Sequence, residues 1–148
     1  VFFGETAINL DAKGRLAIPV RYRESLKEEC ENRMVLTYSA FDAGSLWLYL
    51  EQEWERVRDE VMALPSFDAD HRSLQRRLVG SATALEPDGS GRILLPPSLR
   101  DSTGMEKRIV MLGMGKRFEI WNETTLNQKR VEENLGESPS AEMARLVL

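Results

Sequence analysis

Apolar and polar positions alternate along the chain in short runs, separated by turn residues and by helical stripes. The runs at 7–10, 15–18, 34–38 and 46–50 predict strands, being short, apolar-rich and bounded by turn residues. Between the first two, Asp11-Ala12-Lys13-Gly14 predicts a tight turn. There an Asp side chain can accept from its own backbone, and Gly takes a positive φ without steric cost. Pro19 follows the second run at the opening of a helix, where no amide donor is needed. Tyr22, Leu26 and Cys30 then recur at i, i+4 and i+8, with Glu28, Glu29 and Glu31 on the other side. After the last strand, residues 51–64 predict a longer helix with Trp54, Val57, Val61 and Leu64 on one stripe, stopped by Pro65-Ser66. Asp70 is placed to cap a second helix that carries Leu74 and Leu78 and ends at Gly80.

The pattern then begins again. Asp11-Ala12-Lys13-Gly14-Arg15-Leu16-Ala17-Ile18-Pro19 returns as Asp88-Gly89-Ser90-Gly91-Arg92-Ile93-Leu94-Leu95-Pro96, each followed by three residues and an arginine, Arg23 or Arg100. Arg33-Met34-Val35-Leu36 is echoed by Arg108-Ile109-Val110-Met111, and Leu46-Trp47-Leu48-Tyr49 by Phe118-Glu119-Ile120-Trp121. The chain therefore reads as one unit used twice: 1–50, connecting helices at 51–80, a second unit at 81–124, and a C-terminal helix and tail at 125–148. In that last part a helix is expected over 123–135. Gly136-Glu137-Ser138-Pro139-Ser140 breaks it, leaving a weakly ordered tail or a docking helix. About four short strands per copy bury too little by themselves, so the copies are expected to share one core in a β-rich α+β fold.

Composition narrows the function. Cys30 is the only cysteine, which excludes a disulfide framework and a cysteine-based zinc site. No stretch has the roughly 20 apolar residues that cross a bilayer. The start, Val1-Phe2-Phe3-Gly4, shows no basic region leading into an apolar one, so a cytoplasmic protein is expected. With 20 basic and 24 acidic residues the net charge is −4, which taken alone argues against a nucleic-acid partner. Position reverses that inference. Residues 1–23 carry four basic and two acidic groups and residues 71–100 five and two, whereas residues 51–70 carry two and seven. Both repeated motifs are basic, and the acid lies in the helix between them.

Arg15 and Arg92 each follow a turn glycine and stand four residues after an Asp. Such a pair can simply close the turn, at little gain if exposed. It can also hold a guanidinium at a loop tip, where the fork grips a phosphate or the O6/N7 edge of guanine. Repetition of the same arginine in the same frame favours the second role. Lys13 at the first tip is placed for a phosphate, with Ser90 as its counterpart. Of the arginines on the post-proline helices, Arg23 and Arg100 suit a surface or a DNA-contact role about equally, whereas Arg21 has no matching base at Ser98. No catalytic or metal residues stand out, and neither an enzyme activity nor a cofactor is expected. His71 is the only histidine. Gly89-Ser90-Gly91 lacks the third glycine of a dinucleotide loop, and Gly113-Met114-Gly115-Lys116 lacks the rest of a phosphate loop. Trp47, Trp54 and Trp121 occupy expected core positions.

The motif Asp-x-x-Gly-Arg-x-x-[Ile/Leu]-Pro-x-x-x-Arg resembles that of the AbrB-type swapped-hairpin (SpoVT/AbrB) transcription factors. Two such motifs in one chain resemble the MraZ family, as do Phe2-x-Gly4, Glu53-Trp54, Leu74-Gln75-x-x-Leu78-x-Gly80 and Lys116-x-Phe118-Glu119-x-Trp121. The resemblance covers residues 2 to about 125. It implies two swapped-hairpin units closed into one intramolecular pseudo-dimeric β-barrel with flanking helices. It further implies ring-shaped homo-oligomers, and binding to short direct repeats in double-stranded promoter DNA, in the nucleoid. The expected regulator, a repressor, controls the division and cell-wall gene cluster and its own promoter. Lys13, Arg15 and Arg92 are then the DNA contacts, with Arg23 and Arg100 beside them. Asp11, Gly14, Pro19, Asp88, Gly91 and Pro96 shape the motif. The alternative is a protein-binding scaffold or antitoxin-like module of the same fold, with the acidic helix as its contact surface.

Overall fold

A computed structural model of the chain describes residues 1–133 and 139–148. The repeat appears in it as two sets of four strands. The first copy supplies β1 (Phe2–Asn9), β2 (Arg15–Ala17), β3 (Met34–Tyr38) and β4 (Ser45–Leu50). The second supplies β5 (Thr83–Leu85), β6 (Arg92–Leu94), β7 (Arg108–Gly115) and β8 (Arg117–Asn122). The helices are α1 (Val20–Cys30), α2 (Glu51–Met62), α3 (Ala69–Leu78), α4 (Pro97–Ser102), α5 (Glu123–Glu132) and α6 (Ala141–Ala144).

Six strands form an antiparallel sheet in the order β1-β7-β8-β4-β3-β5. Each copy contributes a central hairpin, and each hairpin takes its outer strand from the other copy. The registers repeat as well. Met34 lies across from Leu85 and Val35 from Ala84, just as Ile109 lies across from Ile8 and Val110 from Ala7. Between the hairpins the pairing is symmetric about Trp47 and Glu119. The remaining strands, β2 and β6, make a separate two-stranded ribbon symmetric about Leu16 and Ile93. An approximate twofold relation therefore exchanges the two copies.

The strands do not join by hydrogen bonds into one closed sheet of the kind the family resemblance implies. The six-stranded sheet is open, with β1 and β5 at its edges, and the ribbon pairs only within itself. Sequence accounts for the short ribbon: two residues after β2 and β6 come Pro19 and Pro96, which have no amide to extend a ladder. Ile18 and Leu95 make the last cross-copy bonds, donating to the carbonyls of Gly91 at 2.9 Å and Gly14 at 3.0 Å.

The ribbon and the inner sheet face enclose one shared core. Leu16, Ile93 and Leu95 are fully buried against Leu26, Leu36, Leu46, Leu48, Ile109, Phe118 and Ile120. The alternate residues of the same strands, Val35, Trp47 and Tyr49, face the other way and are covered by Trp54 and Val61 of α2 and Leu78 of α3. On the second copy Val110 and Trp121 are covered by Leu126 of α5.

Local details depart from the sequence pattern in a few places. Asp68 rather than Asp70 caps α3, its carboxylate accepting from the Asp70 amide at 2.7 Å. Pro19 and Pro96 sit one position before the helix, as N-caps, and Pro97 takes the first helical position of α4. The expected helix over 123–135 ends at Glu132, and its last residues, with Gly136, Glu137 and Ser138, lie outside the described residues. Beyond them Ser140 caps α6, and residues 139–148 are exposed.

Candidate nucleic-acid interface

The two Asp-x-x-Gly turns have one construction. Asp11 Oδ1 accepts from the amides of Lys13 and Arg15, both at 2.9 Å, and the Asp11 carbonyl accepts from the Gly14 amide at 3.0 Å. Asp88 Oδ1 accepts from Ser90 at 2.9 Å and Arg92 at 3.0 Å, and its carbonyl from Gly91 at 2.9 Å. Gly14 and Gly91 close the turns at φ of +81° and +76°. These amide bonds, led by the one from the arginine, hold both carboxylates below their ordinary pKa, so they stay charged.

The second carboxylate oxygen orients the arginine. Arg15 Nε donates to Asp11 Oδ2 at 2.6 Å, and Arg92 Nε to Asp88 Oδ2 at 3.0 Å. Among the described residues only the inner nitrogen of each fork makes a hydrogen bond, which leaves the outer nitrogens able to meet a ligand. Turn closure and side-chain presentation are thus one arrangement. The two turns also lie side by side: Arg92 Nη1 is 3.8 Å from Asp11 Oδ2, the oxygen that Arg15 already binds. Lys13 and Ser90 are exposed at the two tips.

Arg23 and Arg100 occupy a different place, each against the other copy's turn. Arg23 Nε donates to the Ile18 carbonyl at 2.8 Å, and a Cβ on Gly91 would meet Arg23 Cζ at 2.6 Å. A Cβ on Gly14 would fall 1.6 Å from Arg100 Nη1. Both glycines thus admit an arginine as well as a positive φ. Arg21 is drawn away to β1, where it donates to Thr6 Oγ1 and packs 4.7 Å over the Tyr22 ring.

Sequence reasoning passed over two side chains of this surface. In the ribbon Arg15 pairs with Leu94 and Ala17 with Arg92. All four lie on the face opposite the buried Leu16 and Ile93, and the signal was their period-two spacing from each arginine. Elsewhere His71 Nδ1 lies 2.8 Å from the Pro65 carbonyl. Among the described residues no group of three or more His, Cys, Asp or Glu could hold a metal, and no helix is long and apolar enough to cross a membrane.

The family described as "MraZ protein, putative antitoxin-like" matches the chain twice, over residues 1–77 and 78–148. A protein named transcriptional regulator MraZ from Stenotrophomonas maltophilia (strain R551-3) is 51% identical over 141 residues, which is 93% of this chain and 95% of the relative. The one from Xylella fastidiosa (strain Temecula1 / ATCC 700964) is 54% identical over 123 residues, 83% of each chain. That from Thioalkalivibrio sulfidiphilus (strain HL-EbGR7) is 47% identical over 152 residues and spans both chains in full. With its repeated turns, its two matched halves and these relatives, the chain belongs to the MraZ family.

Proposed function

We propose that the chain is a transcriptional regulator, not an enzyme, that binds duplex promoter DNA through the β2–β6 ribbon and its two turns. The observation that carries this reading is the convergence of Arg15 and Arg92, from separate copies, on Asp11 Oδ2 at 2.6 Å and 3.8 Å. A two-stranded ribbon fits the major groove, and an oriented guanidinium matches the guanine edge or a phosphate. The name shared by the relatives supports a regulatory role. Lys13 and Ser90 at the tips contact the backbone, while Arg23 and Arg100 lie one layer back, bracing the turns.

In this reading the protein represses the division and cell-wall gene cluster, its own promoter included, by occupying short direct repeats. One subunit offers few positive groups. A ring of copies engaging several repeats together raises avidity without new contacts. Gel shifts on DNA upstream of the gene test the assignment. Arg15→Ala or Arg92→Ala is expected to cost on the order of 1–3 kcal/mol per engaged site if the arginine reads a base. Unchanged binding by the double variant would overturn the interface. The family description also names an antitoxin-like protein. That protein-binding alternative would be favoured if low salt gave no retarded DNA and a stable protein partner co-purified.

A further inference from the structure

The outer face of the ribbon is not uniformly basic. It carries Leu94, 52% exposed, across the ladder from Arg15, and the exposed Ala17 across from Arg92. Isolated exposed leucines are ordinary on protein surfaces. This one is placed otherwise: it sits two residues from Arg92 on the same strand and face, and directly opposite Arg15, at the centre of the surface assigned to DNA. Directly opposed strand residues have Cβ atoms about 5 Å apart, so Leu94 and Arg15 address the same or neighbouring base pairs.

Taking the DNA-binding reading above as its basis, we infer that Leu94 is a specificity-determining residue that packs on the C5 methyl of a thymine in the major groove. That methyl is the apolar feature among the polar base edges presented there. An isobutyl group brought against it removes apolar surface from water on both sides. Against cytosine the same group would cover an N4 donor without accepting from it, leaving a polar group unpaired. The neighbouring Arg15, held by Asp11, keeps its outer nitrogens for a purine edge or phosphate alongside. At the pseudo-equivalent position of the first copy stands Ala17, which reaches less far, so the methyl requirement falls mainly on the base that faces Leu94.

The test replaces thymines of the upstream DNA one at a time by deoxyuridine, which removes only the methyl group, and measures affinity by fluorescence anisotropy. Wild-type protein is expected to lose about fourfold at one or two positions, the effect of one buried methyl-sized group. In Leu94→Ala the loss at those positions is expected to fall below about twofold on the same reasoning. Uniform tolerance of deoxyuridine by wild-type protein would overturn the assignment, and so would an undiminished loss in Leu94→Ala. Both outcomes require DNA binding, which separates them from failure of the interface itself: a protein that retards no upstream DNA at low salt removes both proposals together.

Discussion

At Gly14 and Gly91 the missing side chain serves two purposes, a backbone at positive φ and room for an arginine from the other copy. Gly14→Ala is therefore expected to lose about 1–3 kcal/mol of stability by denaturant unfolding, the range for a non-glycine residue forced into such a conformation. Adding Arg100→Ala removes the clash but not the φ, so it should restore only part of the loss. The two turn carboxylates predict an acid response. Their folded pKa values lie below the unfolded value of about 3.9, so their contribution is complete above that pH. It is lost as pH falls through the lowered folded values. Acid unfolding followed by circular dichroism should thus be shallower below about pH 4 for the Asp11→Asn, Asp88→Asn double variant than for wild type. Identical profiles would count against the turns as charged structures. Cys30 makes a third case: burial pushes its thiol pKa up, and Sγ donates to the Leu26 carbonyl at 3.2 Å. Alkylation by a thiol reagent at neutral pH should then track unfolding rather than proceed in the folded protein.

Among the elements, the ribbon has one apolar pair at the centre of its ladder, on the pseudo-twofold. Leu16 and Ile93 face each other there with no exposure at all. Leu16→Ala should cost about 2–5 kcal/mol, as for other buried leucines. The double variant with Ile93→Ala should cost less than the sum, because the two cavities merge. The place of these elements was legible in the sequence because turn chemistry and alternation are local: Asp11-x-x-Gly14 makes its turn from its own atoms. Partners were not legible. Nothing near Thr83–Leu85 says that this strand will pair with β3 of the other copy, and nothing near Arg23 says that it will pack on Gly91. The start of β1 was missed for a related reason. Phe3, Gly4 and Glu5 are exposed and show no alternation, and it is pairing with β7 that makes them strand. The charged cluster in the candidate site was read from repetition of the arginine, whereas the meeting of both arginines at Asp11 required the cross-copy ladder.

For the whole molecule, the −4 net charge is no guide to the surface proposed to meet DNA. Binding is expected to weaken with salt, log affinity falling by about 0.9 per tenfold rise in salt for each phosphate neutralised. A Lys13→Ala variant should flatten that slope on specific and random DNA alike if Lys13 contacts a phosphate. The interleaved sheet predicts a second behaviour. Residues 1–80 and 81–148 each lack the outer strand that completes their own hairpin. Expressed together as two pieces they should reassemble into a folded heterodimer, detected by size exclusion and by recovery of a cooperative melt. Independent folding of each piece as a monomer would contradict the interleaving.

Joining the two halves in one chain also changes what a mutation can do. In a symmetric dimer of identical chains every substitution appears twice, on both sides of the axis, and the surface reads the same forwards and backwards. Here each half pairs with its tethered counterpart, so Lys13 can drift from Ser90 and Ala17 from Leu94 while the pairing that builds the ribbon persists. The result is a twofold scaffold with a front and a back. If the proposed interface holds, a subunit of this kind settles on a base sequence that lacks inverted symmetry in one orientation, and a row of them points the same way along a promoter.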